Sequence, residues 1–332
     1  MIVKRRGRES SATPPSMPSR QVAGSPGAKV SYHFAMGRHL LLLMLLTSAC
    51  KAELADVKGS LVDGDGGVTD ALADDSSVPF DTALPAFGTP MLNNAASSPT
   101  LAEDDGALTS DGLEMVFAVA ATGGKDLFYT KRASLTSAWA TATKLAISAV
   151  ESDETPRFSP DDLTLYYASA RTGTLGSLDI FQTTRPAKGS TAFGVITAVA
   201  GPSSTLLEKT YTPCNGSYVV VVAGDLAEGT VGAAPMPITV LNDATGSETG
   251  PFLTADCLRI YFASTRDGTA KIYASSRASM TAPWAAPALA TDIPSVTGAT
   301  GMEDPWFSPD ERILSFAATV AGGTKDQYII AR

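Results

Sequence analysis

The chain has 332 residues, 44% of them hydrophobic, with 29 Gly and 21 Pro. That composition supports a folded core but interrupts helices too often for a mostly helical protein. The net charge of −9 is unevenly spread: residues 1–49 hold seven Lys or Arg against Glu9, which leaves −15 on the remainder, a balance that repels phosphate backbones and excludes nucleic acid as a partner.

Residues 1–35 are rich in Pro, Ser and Arg and read as a disordered extension. Met36 is placed to serve as the translation start. From it runs "MGRHLLLLMLLTSAC": a basic residue, an apolar run over Leu40–Leu46, small residues and Cys50. This is the layout of an export signal, and the run is shorter than the roughly 20 residues a spanning helix needs. The small residues before Cys50 resemble a bacterial lipobox, although Thr47 stands where that motif prefers Leu. The resemblance implies a diacylglyceryl anchor on the Cys50 thiol and cleavage before it. Lys51 follows the Cys, and the absence of Asp there points to the outer membrane. Both histidines, His33 and His39, precede Cys50. A chain cut there has no Ser-His-Asp triad, no Cys-His pair and no His-ligated metal. Catalysis would fall to carboxylates, Lys or Tyr.

Residues 50–86 are dominated by Gly, Asp and Ser and read as a flexible acidic tether extended by self-repulsion. Its "DGDGG" has Gly67 where a calcium loop needs a ligand, and no bidentate Glu follows.

From residue 87 onward the chain repeats. The phrases "DETPRFSPDDLTLYYAS" and "MEDPWFSPDERILSFAA" align with "EDDGALTSDGLEMVFAV", "SETGPFLTADCLRIYFAS" and, less well, "LLEKTYTPCNGSYVVVV". The alignment puts Leu108, Phe158, Tyr211, Leu253 and Phe307 in one column, spaced by 40 to 55 residues. Each unit reads as strand, tight turn, strand, with Pro setting φ in the turn and Asp or Gly tolerating its later positions. A Gly-containing loop leads to a third strand such as "DIFQTTR". A fourth opens on an aromatic in "WATATKL", "FGVITAV" and "WAAPALA". Four antiparallel strands at this period predict an all-β, five-bladed β-propeller over 87–332. A two-sheet sandwich would not explain the period. The last unit ends at Arg332 after its third strand, and "FGTPMLN" at 87–93 has the fourth-strand pattern. The N-terminal strand is therefore predicted to pair with the last blade and close the ring. The third unit is the weakest: between Ala223 and Glu248 there is room for one good strand, "MPITVLN", and at most one poor one.

The "DETPRFSPD" and "EDPWFSPD" phrases, with the "ASARTG…DIFQTTR" and "ASTRDG…KIYASSR" tails, resemble the WD-like repeats of the TolB periplasmic propeller family. That resemblance covers residues 87–332 and implies architecture, with envelope proteins as partners. It implies no activity, because propellers host many functions.

Acids gather where each innermost strand begins: Glu103 and Asp104, Asp153 and Glu154, Glu208, Glu248, Glu303 and Asp304. They form a candidate binding ring at a channel mouth, for a cation or a basic peptide. Read blandly, they are loop acids that cap neighbouring amides. Arg171 and Arg266 recur before a Gly and read as partners for acids of their own or the next blade, an inter-blade ion pair being the bland reading. Cys214 and Cys257 fall in the first turns of adjacent blades, as a disulfide or as free thiols. No GxGxxG or P-loop pattern follows a strand, and no cofactor or metal is called for.

The reading is a non-catalytic binding propeller of the cell envelope, taking a protein, peptide or polysaccharide and held to a membrane through Cys50. The alternative is a glycoside hydrolase working through channel carboxylates of different blades. Such an inverting pair sits about 6.5–9.5 Å apart, usually beside aromatic platforms. Here Trp139 and Trp284 open outer strands, and Trp306 follows an acid pair.

Overall fold

The computed structural model describes residues 84–98 and 100–332. The signal, the anchor at Cys50, the extension over 1–49 and all but the last three residues of the linker lie outside them. Among the described residues, no helix is long and apolar enough to cross a membrane.

Five four-stranded antiparallel sheets form the blades of a propeller, four of them in sequential strand order. Blade 1 comprises Glu103–Leu108, Glu114–Ala121, Gly124–Lys131 and Thr143–Lys144. Blade 2 comprises Asp153–Phe158, Thr164–Ser169, Asp179–Thr184 and Thr197–Ala198. Blade 3 comprises Glu208–Cys214, Ser217–Val222, Asp225–Thr230 and Met236–Pro237, so the unit that reads poorest in sequence is complete. Blade 4 comprises Glu248–Leu253, Arg259–Ser264, Lys271–Ser276 and Ala288–Leu289. Blade 5 comprises Ala299–Phe307, Ile313–Val320 and Lys325–Ala331, and Met91–Leu92 supplies its fourth strand.

That closing strand pairs Met91 with Ile329 and Leu92 with Tyr328. Gly88 N donates to Ala331 O at 2.9 Å and Asn93 N to Gln327 O at 2.8 Å. The fourth strands are shorter than the sequence pattern indicates, because the chain bows away after its aromatic. In blade 1, Ala140 N donates to Lys131 O, the ladder then skips, and Leu145 N rejoins at Leu127 O. An Arg ending the third strand holds the bow by lying over the aromatic: Arg132 over Trp139 at 4.4 Å, Arg277 over Trp284 at 4.2 Å, Arg332 over Phe87 at 4.0 Å.

One blade cannot bury both of its faces, and the core shows how the ring does it. Five apolar clusters each draw on two neighbouring blades. The seam between blades 1 and 2 packs Val116, Leu127 and Tyr129 against Leu165, Tyr167 and Phe181. The seam between blades 5 and 1 packs Trp306 and Ile329 against Leu108, Met115 and Phe117. Inter-blade ion pairs reinforce the rim: Arg185 with Glu114, Arg277 with Glu228 and Arg259 with Glu311.

The repeated phrase encodes the first turn. In blade 5, the Ser308 hydroxyl donates to Asp310 Oδ1 at 2.6 Å and accepts from Ile313 N at 2.9 Å, while Asp310 Oδ1 accepts from Arg312 N at 3.1 Å. Thr109 with Asp111, Ser159 with Asp161 and Thr254 with Asp256 repeat the device. Blade 3 departs from it with a two-residue Asn215–Gly216 turn, both at positive φ (46° and 78°), the hairpin type that Asn-Gly favours. Its hairpin is therefore shorter. Pro213, paired with Tyr218, occupies the place of Phe158 and Phe307, and the sequence alignment at Tyr211 is two residues off.

Candidate functional site

Every innermost strand carries a bulge at the same place, after Asp104, Glu154, Lys209, Thr249 and Glu303. The residue that follows has a left-handed backbone in all five: Asp105, Thr155, Thr210, Gly250 and Asp304, with φ between 48° and 59°. A bulge sharpens strand twist and re-aims side chains. It divides the channel into two ends with different chemistry.

At the end where the strands begin, the acids before the bulge have two roles. Glu103, Asp153, Glu208 and Glu248 share one register position and are buried. They accept amide hydrogens from the incoming connections: Ser98 N to Glu103 at 2.9 Å, Ala149 N to Asp153, Ser204 N to Glu208 at 3.1 Å, Asp243 N to Glu248 at 3.3 Å. Blade 5 has Met302 at this register, because its Glu303 stands one place further along. Arg171 and Arg266 pair within their own blades, not between blades. Arg171 Nη2 lies 2.8 Å from Asp153, and Arg266 Nη2 lies 3.1 Å from Glu248. Each also donates to a carbonyl of the preceding connection, Ile147 and Leu241.

The next position aims into the channel. There Glu303, Asp104, Glu154 and Lys209, with Lys325 and Lys125 reaching in from the third strands of blades 5 and 1, alternate in sign across blades 5, 1, 2 and 3. Lys325 reaches Glu303 at 2.5 Å and Asp104 at 3.6 Å. Lys125 reaches Asp104 at 2.7 Å, Asp105 at 3.3 Å and Glu154 at 3.3 Å, and Lys209 reaches Glu154 at 2.8 Å. Burial first, and then the neighbouring Asp105, push Asp104 up to about 7 against the pull of the lysines. Burial is the largest single influence on Asp105 and raises it, but Lys125, a hydrogen bond with Asp104, and Lys209 and Lys325 together outweigh it and hold that carboxyl below the usual range. Glu103 is pushed up to about 7, chiefly by burial. Asp304 is buried and pushed well above its ordinary value, again by burial and then by Asp105. It packs so closely on Gly250 that a Cβ there would fall 2.6 Å from its Oδ1. Among the described residues no group of His, Cys, Asp and Glu is arranged to hold a metal.

At the opposite end, where the first turns converge, the channel opens into a cavity of about 290 Å³ lined from all five blades. Its deepest row comes from the position after the bulge: Arg157, Thr212, Phe252 and Trp306. Above it sit Phe158, Phe307 and the turn residues. The Cys214–Cys257 disulfide, with Cα atoms 5.9 Å apart, ties blades 3 and 4 beside it. Arg157 escapes a reading of the sequence that follows acids, because it lies inside the turn phrase. The legible signal is the contrast of "PRF" with "PWF": one repeat places a cation where its twin places Trp306.

No family model matches the chain, and no curated protein matches it. Solved structures do. A putative TolB from Agrobacterium tumefaciens is 14% identical, with 70% of this chain and 77% of that one covered and a TM-score of 0.43. An alpha-L-arabinofuranosidase from Podospora anserina is 12% identical, covering 74% and 95%, at 0.51. An endo-arabinase from Bacteroides thetaiotaomicron is 12% identical, covering 75% and 98%, at 0.49. The chain's own strand order makes it an all-β five-bladed propeller; the likeness to the arabinofuranosidase, at 12% identity, is one of fold alone and assigns no role.

Proposed function

We propose that the chain is a non-catalytic binding propeller of the bacterial envelope, exported by the signal at 36–50 and anchored through Cys50. The observation that carries this is the alternating chain of carboxylates and lysines at the acidic end. A glycosidase needs two carboxylates with a sugar, and in the inverting case a water, between them. Here Lys125 Nζ stands between Asp104 and Glu154, and Lys325 Nζ between Glu303 and Asp104. The acids at the preceding register are engaged by backbone amides. The disulfide supports an oxidising compartment. The partner class is an envelope protein, peptide or polysaccharide.

Two experiments test the reading. Affinity capture from detergent-solubilised envelopes, with identification of what co-purifies, is expected to return a reproducible partner. A panel of plant and bacterial polysaccharides is expected to give no turnover. Hydrolysis abolished by Asp153→Asn or Glu303→Gln would establish the glycosidase instead.

A further inference from the structure

Arg157 is 3% exposed, and its Nε and Nη2 have no hydrogen-bond partner. Nη1 donates to Pro156 O at 3.0 Å. Among the described residues no ion pair reaches it; Asp304 and Asp105 act on it only through space. A buried guanidinium with two idle donors is costly, because both the charge and the N–H groups have left water without replacement. Its side chain lines the deepest row of the turn-end cavity.

The surroundings narrow what would satisfy it. Thr212, beside it in that row, already donates its hydroxyl to Pro251 O at 2.7 Å. Asp162, the acid among the lining residues, is held by Ser110 N at 2.9 Å, by the Ser110 hydroxyl and by Lys188. Half-buried Phe158 and Phe252 present ring surface to the cavity, with Trp306 edge-on to Phe252 at 6.2 Å between centroids. At about 290 Å³ the space is at the small end of ligand pockets, which begin near ~300 Å³.

We propose that this cavity is a binding site for a small carboxylate with an aromatic body, its carboxylate bridging Nε and Nη2 of Arg157 and its ring lying among Phe158, Phe252 and Trp306. A guanidinium edge matches a carboxylate in two parallel hydrogen bonds, and the aromatic walls remove the ring from water. The inference deepens the binding-module reading and rests on it.

The test uses the full chain and three probes: 3-phenylpropionate, its amide and acetate, titrated by calorimetry. The expected result is saturable binding of 3-phenylpropionate, with the amide at least about tenfold weaker for want of the charge-assisted pair and acetate at least about tenfold weaker for want of the buried ring. Arg157→Gln is expected to remove the preference for acid over amide. Arg157→Lys, which keeps the charge but loses the fork, is expected to retain a reduced preference. If either variant fails to fold, the acid–amide comparison on the unaltered chain decides the matter. Equal affinity for acid and amide, or no binding of 3-phenylpropionate at millimolar concentration, overturns the site. Those failures leave the binding-module reading standing, whereas polysaccharide turnover removes that reading whatever the titrations give.

Discussion

Single side chains carry the repeat. The Ser or Thr and the Asp two places on meet in four of the five first turns, and Asp310 is held below its ordinary pKa chiefly by the Ser308 hydroxyl. Ser308→Ala is expected to cost about 1–2 kcal/mol, since it removes a bonded hydroxyl and frees a buried-edge amide. Urea unfolding would show the midpoint fall with an unchanged slope. The channel acids make a second expectation. Asp104 and Glu103 both titrate near 7 in the fold, above their ordinary 3.8 and 4.5, and Asp304 is also raised. Such groups bind protons more tightly folded than unfolded, so stability falls as pH climbs from about 4 to about 7 and levels off beyond. Asp105, held low, works the other way and costs stability below its ordinary 3.8. The melting temperature is therefore expected to be higher near pH 5 than near pH 8. Asp104→Asn should shrink that difference, and a flat profile in the unaltered chain would contradict the burial argument. The acids were legible in sequence as residues, but not their partners. Lys125 and Lys325 come from third strands, twenty-one residues from Asp104 and twenty-two from Glu303, and nothing in local spacing marks them.

Strands are legible in the sequence where an aromatic or β-branched run stands between turn residues, as in "LTLYYAS" and "RIYFAS". They are obscured where Gly and Glu dilute the run. Asp225–Thr230 pairs along its whole length with Ser217–Val222 although its "DLAEGT" has little strand propensity. Tertiary packing decides it, through buried Leu226 and Ala227. The two-residue slip in the third repeat has a similar origin: the Asn215–Gly216 turn replaces a longer one, and an alignment on aromatics puts Tyr211 in the column of Pro213. The disulfide beside that turn joins positions 43 apart. Closing a loop of that length stabilises by about 4 kcal/mol in the chain-entropy model. Cys257→Ser is expected to lower stability by a large part of that and to abolish the mobility difference between reduced and non-reduced samples on a gel.

At the scale of the ring, period and patterning sufficed for blade number, strand order and the closing strand, because each is a consequence of one unit that must lean on its neighbours to bury its faces. The cavity was not legible, since it exists only where five turns from distant parts of the sequence converge. Removing residues 84–93 is expected to expose the edge of Lys325–Ala331 and to make the protein self-associate more than the unaltered chain, visible by light scattering. Unchanged light scattering with an unchanged melting curve would show that the closing strand is dispensable.

The closing strand has a mechanical implication. Whatever tugs on the polypeptide upstream of residue 84 transmits its load through Met91 and Leu92, a latch of two ladder pairs flanked by Gly88, Asn93 and the Arg332–Phe87 stack. A tether fixed at one end would strain that latch before any other strand, so the same residues that complete the circle also set the force at which it springs open.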